Sequence, residues 1–130
     1  MGLVLEFDVK NNILRGTLQG PVTDTLLLAY HEMGVNFTAS HPPCRGIWDL
    51  SHVTDFTVSG AGIPELAARP SIIAAGYVRV IVAPLDLLFG MARMFQLLSD
   101  DTRPELQVVR TMDEAYRLLS VETPEFSPVS

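Results

Sequence analysis

The chain has 130 residues, one cysteine and a formal net charge of −6. That length suits a single domain with a sizeable core, and Cys44 alone closes no internal disulfide. The acidic balance and singly scattered Lys and Arg argue against a nucleic-acid or anionic-membrane surface, while 48% hydrophobic content favours a partner or self-association surface. No apolar run suits a signal sequence or a membrane span, so a cytoplasmic protein is expected.

Residues 3–9 (LVLEFDV) alternate, with Leu3, Leu5, Phe7 and Val9 on one face; Lys10-Asn11-Asn12 then offers a turn before a second strand over 13–18. Gly20-Pro21 punctuates this hairpin. Val22 to Met33 carries apolar residues at helical spacing, with Gly34 as the expected stop. A loop over 36–45 follows, because His41-Pro42-Pro43 resists helix.

Residues 46–50 (GIWDL) read as a short strand, and the β-branched run 77–83 (YVRVIVA) as a central one covered on both faces. Between them, the stretch 55–62 is a polar connection, and Pro64 places the next helix start near Gly62 or Ile63. Pro84 ends the central strand. The helix over 85–99 (LDLLFGMARMFQLLS) is apolar around most of its circumference, so one sheet face cannot cover it; a homodimer or a greasy pocket beside it is expected. A last strand over 106–110 leads into a helix to about Leu119, started by a Thr111/Glu114 capping box. Residues 121–130, with two prolines and little periodicity, read as a disordered tail after a single domain over 1–120.

This order of elements implies an α/β fold: an N-terminal β-hairpin leading into a mixed, mainly parallel five-stranded sheet with about four helices. Sites in such sheets lie beyond the strand C-termini, where the loop around Ser59 falls.

Few residues suggest chemistry. His31, His41 and His52 lack the close spacing of a metal site, so no metal and no cofactor is expected. Ser59-Gly60-Ala61-Gly62 has neither the lysine of a phosphate loop nor the glycine spacing of a dinucleotide site. Cys44 before a strand reads as a core or loop residue. A catalytic role would require Asp49, His52, Asp55 and Ser59 to converge.

The stretch Trp48-Asp49-Leu50-Ser51, with Val53-Thr54 and Ser59-Gly60, resembles the "D-L-S-x-V … D-S-S-G" pattern of STAS domains, the anti-sigma-factor antagonists and their relatives. Residues 82–86 (VAPLD), 89–95 (FGMARMF) and 108–119 (VVRTMDEAYRLL) are similar to the SpoIIAA-like branch. The resemblance implies a STAS-like fold over most of 3–119 and a regulatory module without catalysis. It also implies a kinase-like anti-sigma-factor partner that phosphorylates a serine before the second helix.

The pattern differs at that serine. Thr57 stands where the aspartate would be and Val58 where the phosphoacceptor would be, leaving Thr57 and Ser59 as the hydroxyls in reach. The expected partner-binding loop comprises Asp55, Thr57, Ser59, Gly60 and Gly62. The expected ligand or dimer surface comprises Asp86, Phe89, Gly90, Met91, Arg93, Met94 and Phe95. The alternative reading is a carrier or sensor that holds a small apolar or lipid-like ligand beside the 85–99 helix.

Overall fold

The computed structural model describes residues 2–129. Its elements run β1 (Leu3–Asp8), β2 (Ile13–Thr23), α1 (Asp24–Ala39), β3 (Arg45–Thr57), α2 (Gly62–Ala68), β4 (Arg79–Val82), α3 (Asp86–Leu98), β5 (Leu106–Val109), α4 (Met112–Leu118) and β6 (Ser127–Pro128). The sheet order is β5-β4-β3-β2-β1-β6. β2 through β5 are parallel neighbours, and β1 is antiparallel to both β2 and β6. The fold is thus α/β with a mixed, mostly parallel sheet, in six strands where five were expected.

Strict alternation along the strands divides the sheet into two faces. Leu5, Leu14, Leu18, Trp48, Leu50 and Ile81 meet α1, α2 and α3 in the larger core. On the other face Ile13, Ile47, Val80 and Val82 meet Ala115 of α4, with Leu119 and Val121. Since α4 has only seven residues, it covers only part of that face.

Several boundaries depart from the sequence reading: β3 does not stop at Leu50 but runs on to Thr57, paired with β2 along that length, and α1 continues to Ala39, into the stretch expected as a loop. Gly34 does not end α1; it lies mid-helix because Ile72 occupies the space that a Cβ would need. Gly20-Pro21 does not end β2, which continues through a register shift there to Thr23. A further departure concerns the tail expected to be disordered: Val121 is buried, and Ser127–Pro128 pairs with β1 at the sheet edge. An edge suits Pro128, because an outer strand tolerates a missing amide hydrogen. Thr111 caps α4 as expected, the Glu114 amide donating to Thr111 Oγ1 at 3.2 Å, while the Glu114 carboxylate accepts from the Arg110 amide at 3.3 Å in place of the Thr111 amide of a full capping box.

Asp8 fastens this last segment. Its carboxylate accepts from the Asn11 amide at 2.9 Å, the Asn11 side chain at 2.7 Å and the Glu125 amide at 2.8 Å. Burial pushes its pKa up, but these hydrogen bonds outweigh burial and hold it below the ordinary aspartate value. The folded chain therefore binds this proton less readily than the unfolded chain. The stabilisation is complete above the ordinary aspartate range and is lost as pH falls through the lowered folded-state value. Asp8→Ala is expected to cost about 1–3 kcal/mol in denaturant titration at pH 7 and to flatten the acid limb of stability below pH about 4. An unchanged midpoint and acid limb would refute this role.

Candidate functional site

The rotation of α3 decides what this helix presents. Leu88, Ala92, Phe95 and Ser99, spaced i, i+4, i+7 and i+11, turn inward and are buried. Phe95, expected at the surface, is 1% exposed and packs edge-on against Trp48 with ring centroids 5.8 Å apart. With that face committed, Leu87, Gly90, Met94, Leu97 and Leu98 form an outward stripe at i, i+3, i+7, i+10 and i+11. Leu87 is 65% and Leu97 71% exposed, and Leu85 just before the helix is exposed as well. Single exposed leucines are ordinary, but a contiguous stripe of them marks an interaction surface.

The rest of the expected surface falls around this stripe. Asp86 is exposed and pairs with Arg110 at 2.7 Å, and the Arg110 guanidinium lies 4.0 Å from the Phe89 ring. Met91 is half-buried, while Gly90 and Arg93 are exposed, with open space around Gly90. A groove of about 120 Å³ joins the stripe to the end of β3, lined by Val53, Asp55 and Phe56 opposite Leu85, Leu87 and Leu88.

The 55–62 segment is built from close contacts. β3 runs on to Thr57, whose hydroxyl donates to the Val22 carbonyl at 3.3 Å and ties the strand end to β2. The Ser59 amide donates to the Asp24 carboxylate at 3.1 Å, while the Ser59 hydroxyl is exposed and makes no hydrogen bond among the described residues. Ser59 therefore does not cap α2; the residue preceding that helix is Ala61. Gly62 is required sterically, because a Cβ there would collide with Val58 and with the Asp24 carboxylate. Gly60 is exposed with open space around it.

Asp49, His52, Asp55 and Ser59 do not converge. Asp49 and His52 line a cleft beside α4, Asp55 lines the groove beside Leu85, and Ser59 sits at the start of α1. Among the described residues, no group of three or more His, Cys, Asp or Glu side chains could hold a metal. No helix among them is long and apolar enough to cross a membrane. Cys44 is buried, and burial pushes its thiol pKa up. No family model and no curated protein matches the chain.

The sequence reading of the site missed Leu85, Leu87, Leu97 and Leu98. The signal was present as two interleaved helical stripes, one containing Ala92 and Ser99, small enough to lie against the sheet layer, and the other containing the leucines. Two outcomes are expected here. Ser59→Ala costs at most about 1 kcal/mol in denaturant titration, whereas Asp24→Ala, which releases the loop, costs about 1–2 kcal/mol; the reverse order would contradict this account of the loop. Native Cys44 is inert to a thiol reagent at neutral pH and reacts on unfolding, so rapid native labelling would show a thiol that is not sealed.

Proposed function

We propose that the chain is a non-catalytic, STAS-like regulatory module of the cytoplasm that docks a partner protein through the outward face of α3 and the adjoining 55–62 loop. The observation that carries this reading is the stripe of Leu87, Met94, Leu97 and Leu98 left uncovered on a helix whose other side is fully engaged. Sequence resemblance to the STAS pattern and the α/β order of elements support the same class. The groove beside Leu85 favours a protein over a lipid-like ligand, because about 120 Å³ accommodates a leucine-sized side chain and not an acyl chain.

The loop suits a regulatory role at the rim of that surface. Ser59 presents an exposed hydroxyl; its amide donates to Asp24 and its carbonyl accepts from the Gly62 amide at 3.0 Å. A phosphate on Ser59 would add roughly two negative charges close to that carboxylate, and repulsion would release the loop. Modification would thus remodel the rim of the surface without touching the core.

Partner recovery by affinity capture from the native cells tests the docking face. The paired variant Leu87→Ser with Leu97→Ser is expected to fold with a change within about 1 kcal/mol and to lose the partner. Leu118→Ser, at an exposed leucine of α4, is expected to retain it. Equal recovery with both variants would contradict the assignment. Light scattering of the purified chain identifies a second copy as the partner if the dimer disappears in the paired variant alone.

A further inference from the structure

The outward stripe of α3 is flanked by charges that its own chain leaves unpaired. Arg93 is exposed beside Met94, and Asp100 and Asp101 are exposed just past the C-cap of the helix, Ser99. None of the three forms an ion pair among the described residues, whereas Asp86 at the other end of α3 is matched by Arg110. The two aspartates are also poorly placed within one copy. The C-terminal end of a helix carries partial negative charge, and the last turn of α3 holds no basic residue. Arg103, close in sequence, is turned inward to the carbonyls of Ala67 and Arg69. The stripe therefore ends on negative charge that a cation from outside would relieve.

The same chain supplies that cation. Arg93 lies two turns before Asp100, about 10 Å along a helix. When a second α3 is laid antiparallel on the stripe, a two-fold axis at the level of Leu97 brings each Arg93 beside the partner's Asp100 and Asp101. Leu97, 71% exposed and the most exposed leucine of the stripe, then meets its own counterpart on the axis, with Met94 and Leu98 beside it. Gly90, with open space around it, lies two turns from the axis and makes room for the turn that follows the partner's α3. Every contact is repeated by the symmetry, so the surface is complementary to itself and closes at two copies. A parallel arrangement would instead set Arg93 against Arg93 and aspartate against aspartate.

We propose that the occupant of this face is a second copy of the chain, held by an antiparallel α3–α3 contact with Leu97 on the axis and reciprocal ion pairs from Arg93 to the partner's Asp100 and Asp101. This rests on the docking reading given above and names its partner.

Sedimentation velocity of the full chain over a concentration series, at pH 7 and low salt, reads the association. The natural chain is expected to dimerise. Arg93→Glu in one variant, and Asp100→Lys with Asp101→Lys in another, each set like charges face to face and are expected to weaken the dimer about tenfold or more. An equimolar mixture of the two variants regains both attractive pairs and is expected to associate as tightly as the natural chain, an outcome that a merely structural effect of either variant would not produce. Leu97→Cys is expected to form an intermolecular disulfide on mild oxidation, and Leu118→Cys, at an exposed position of α4, is not; this arm decides should a charge variant fail to fold. A monomeric natural chain would overturn the proposal, and the docking reading fails with it only if the outward face of α3 also captures no other protein. A dimer indifferent to the charge reversals, a mixture no tighter than its components, or equal disulfide yields from positions 97 and 118 would likewise overturn it.

Discussion

Two buried arginines hold the helical layer to the sheet, and neither pairs with a carboxylate among the described residues. Arg79 of β4 donates to the Tyr30 hydroxyl at 2.7 Å and lies within 6.0 Å of the ring centres of Tyr30, Trp48 and Phe95. Arg103, after α3, lies 4.8 Å from the Phe95 ring and donates to the carbonyls of Ala67 at 3.0 Å and Arg69 at 2.9 Å. Those carbonyls close α2, where a helix leaves acceptors unsatisfied and a cation is favoured. Burial first, then repulsion from Arg79, lowers the Arg103 pKa to about 10, so Arg103 remains charged at neutral pH. Ring faces and carbonyl dipoles take the place of a counter-ion. The cluster joins α1, α2, β3, β4 and α3 in one set of contacts.

Phe95 is the member that sets what α3 exposes. Held between Trp48 and Arg103, it fixes α3 about its axis, and the leucine stripe is then obliged to face outward. The exposed leucine stripe is thus a by-product of how the core closes. The polar cleft has a similar origin on the other face, where a two-turn α4 runs out before the sheet does. One domain therefore carries an apolar surface and a polar one on opposite sides of its sheet.

The order of elements was legible because hydrophobic periodicity is local: the alternation of 3–9, the β-branched run 77–83 and the Thr111/Glu114 box each mark one element. Boundaries governed by distant contacts were not. Gly34 reads as a stop until Ile72 is known to lie against it. The Pro128 segment reads as disordered until β1 is seen to need an edge partner and Asp8 is seen to hold the Glu125 amide. Phe95 was assigned to the surface for the same reason, since a helix apolar all round does not reveal which stripe finds the sheet. Asp49 stood out within a motif, but its burial and its hydrogen bonds to the Ser51 amide and hydroxyl are properties of three-dimensional packing.

The proposal that a protein partner docks on the outward face of α3 is tested most directly by site-specific photo-crosslinking in the native cells, with a photoreactive phenylalanine analogue replacing Leu97 in one variant and Leu118 in another. The account predicts a discrete crosslinked species, to a partner or to a second copy of the chain, from position 97 and none from position 118. Crosslinks of equal yield from both positions, or from 118 alone, would contradict it.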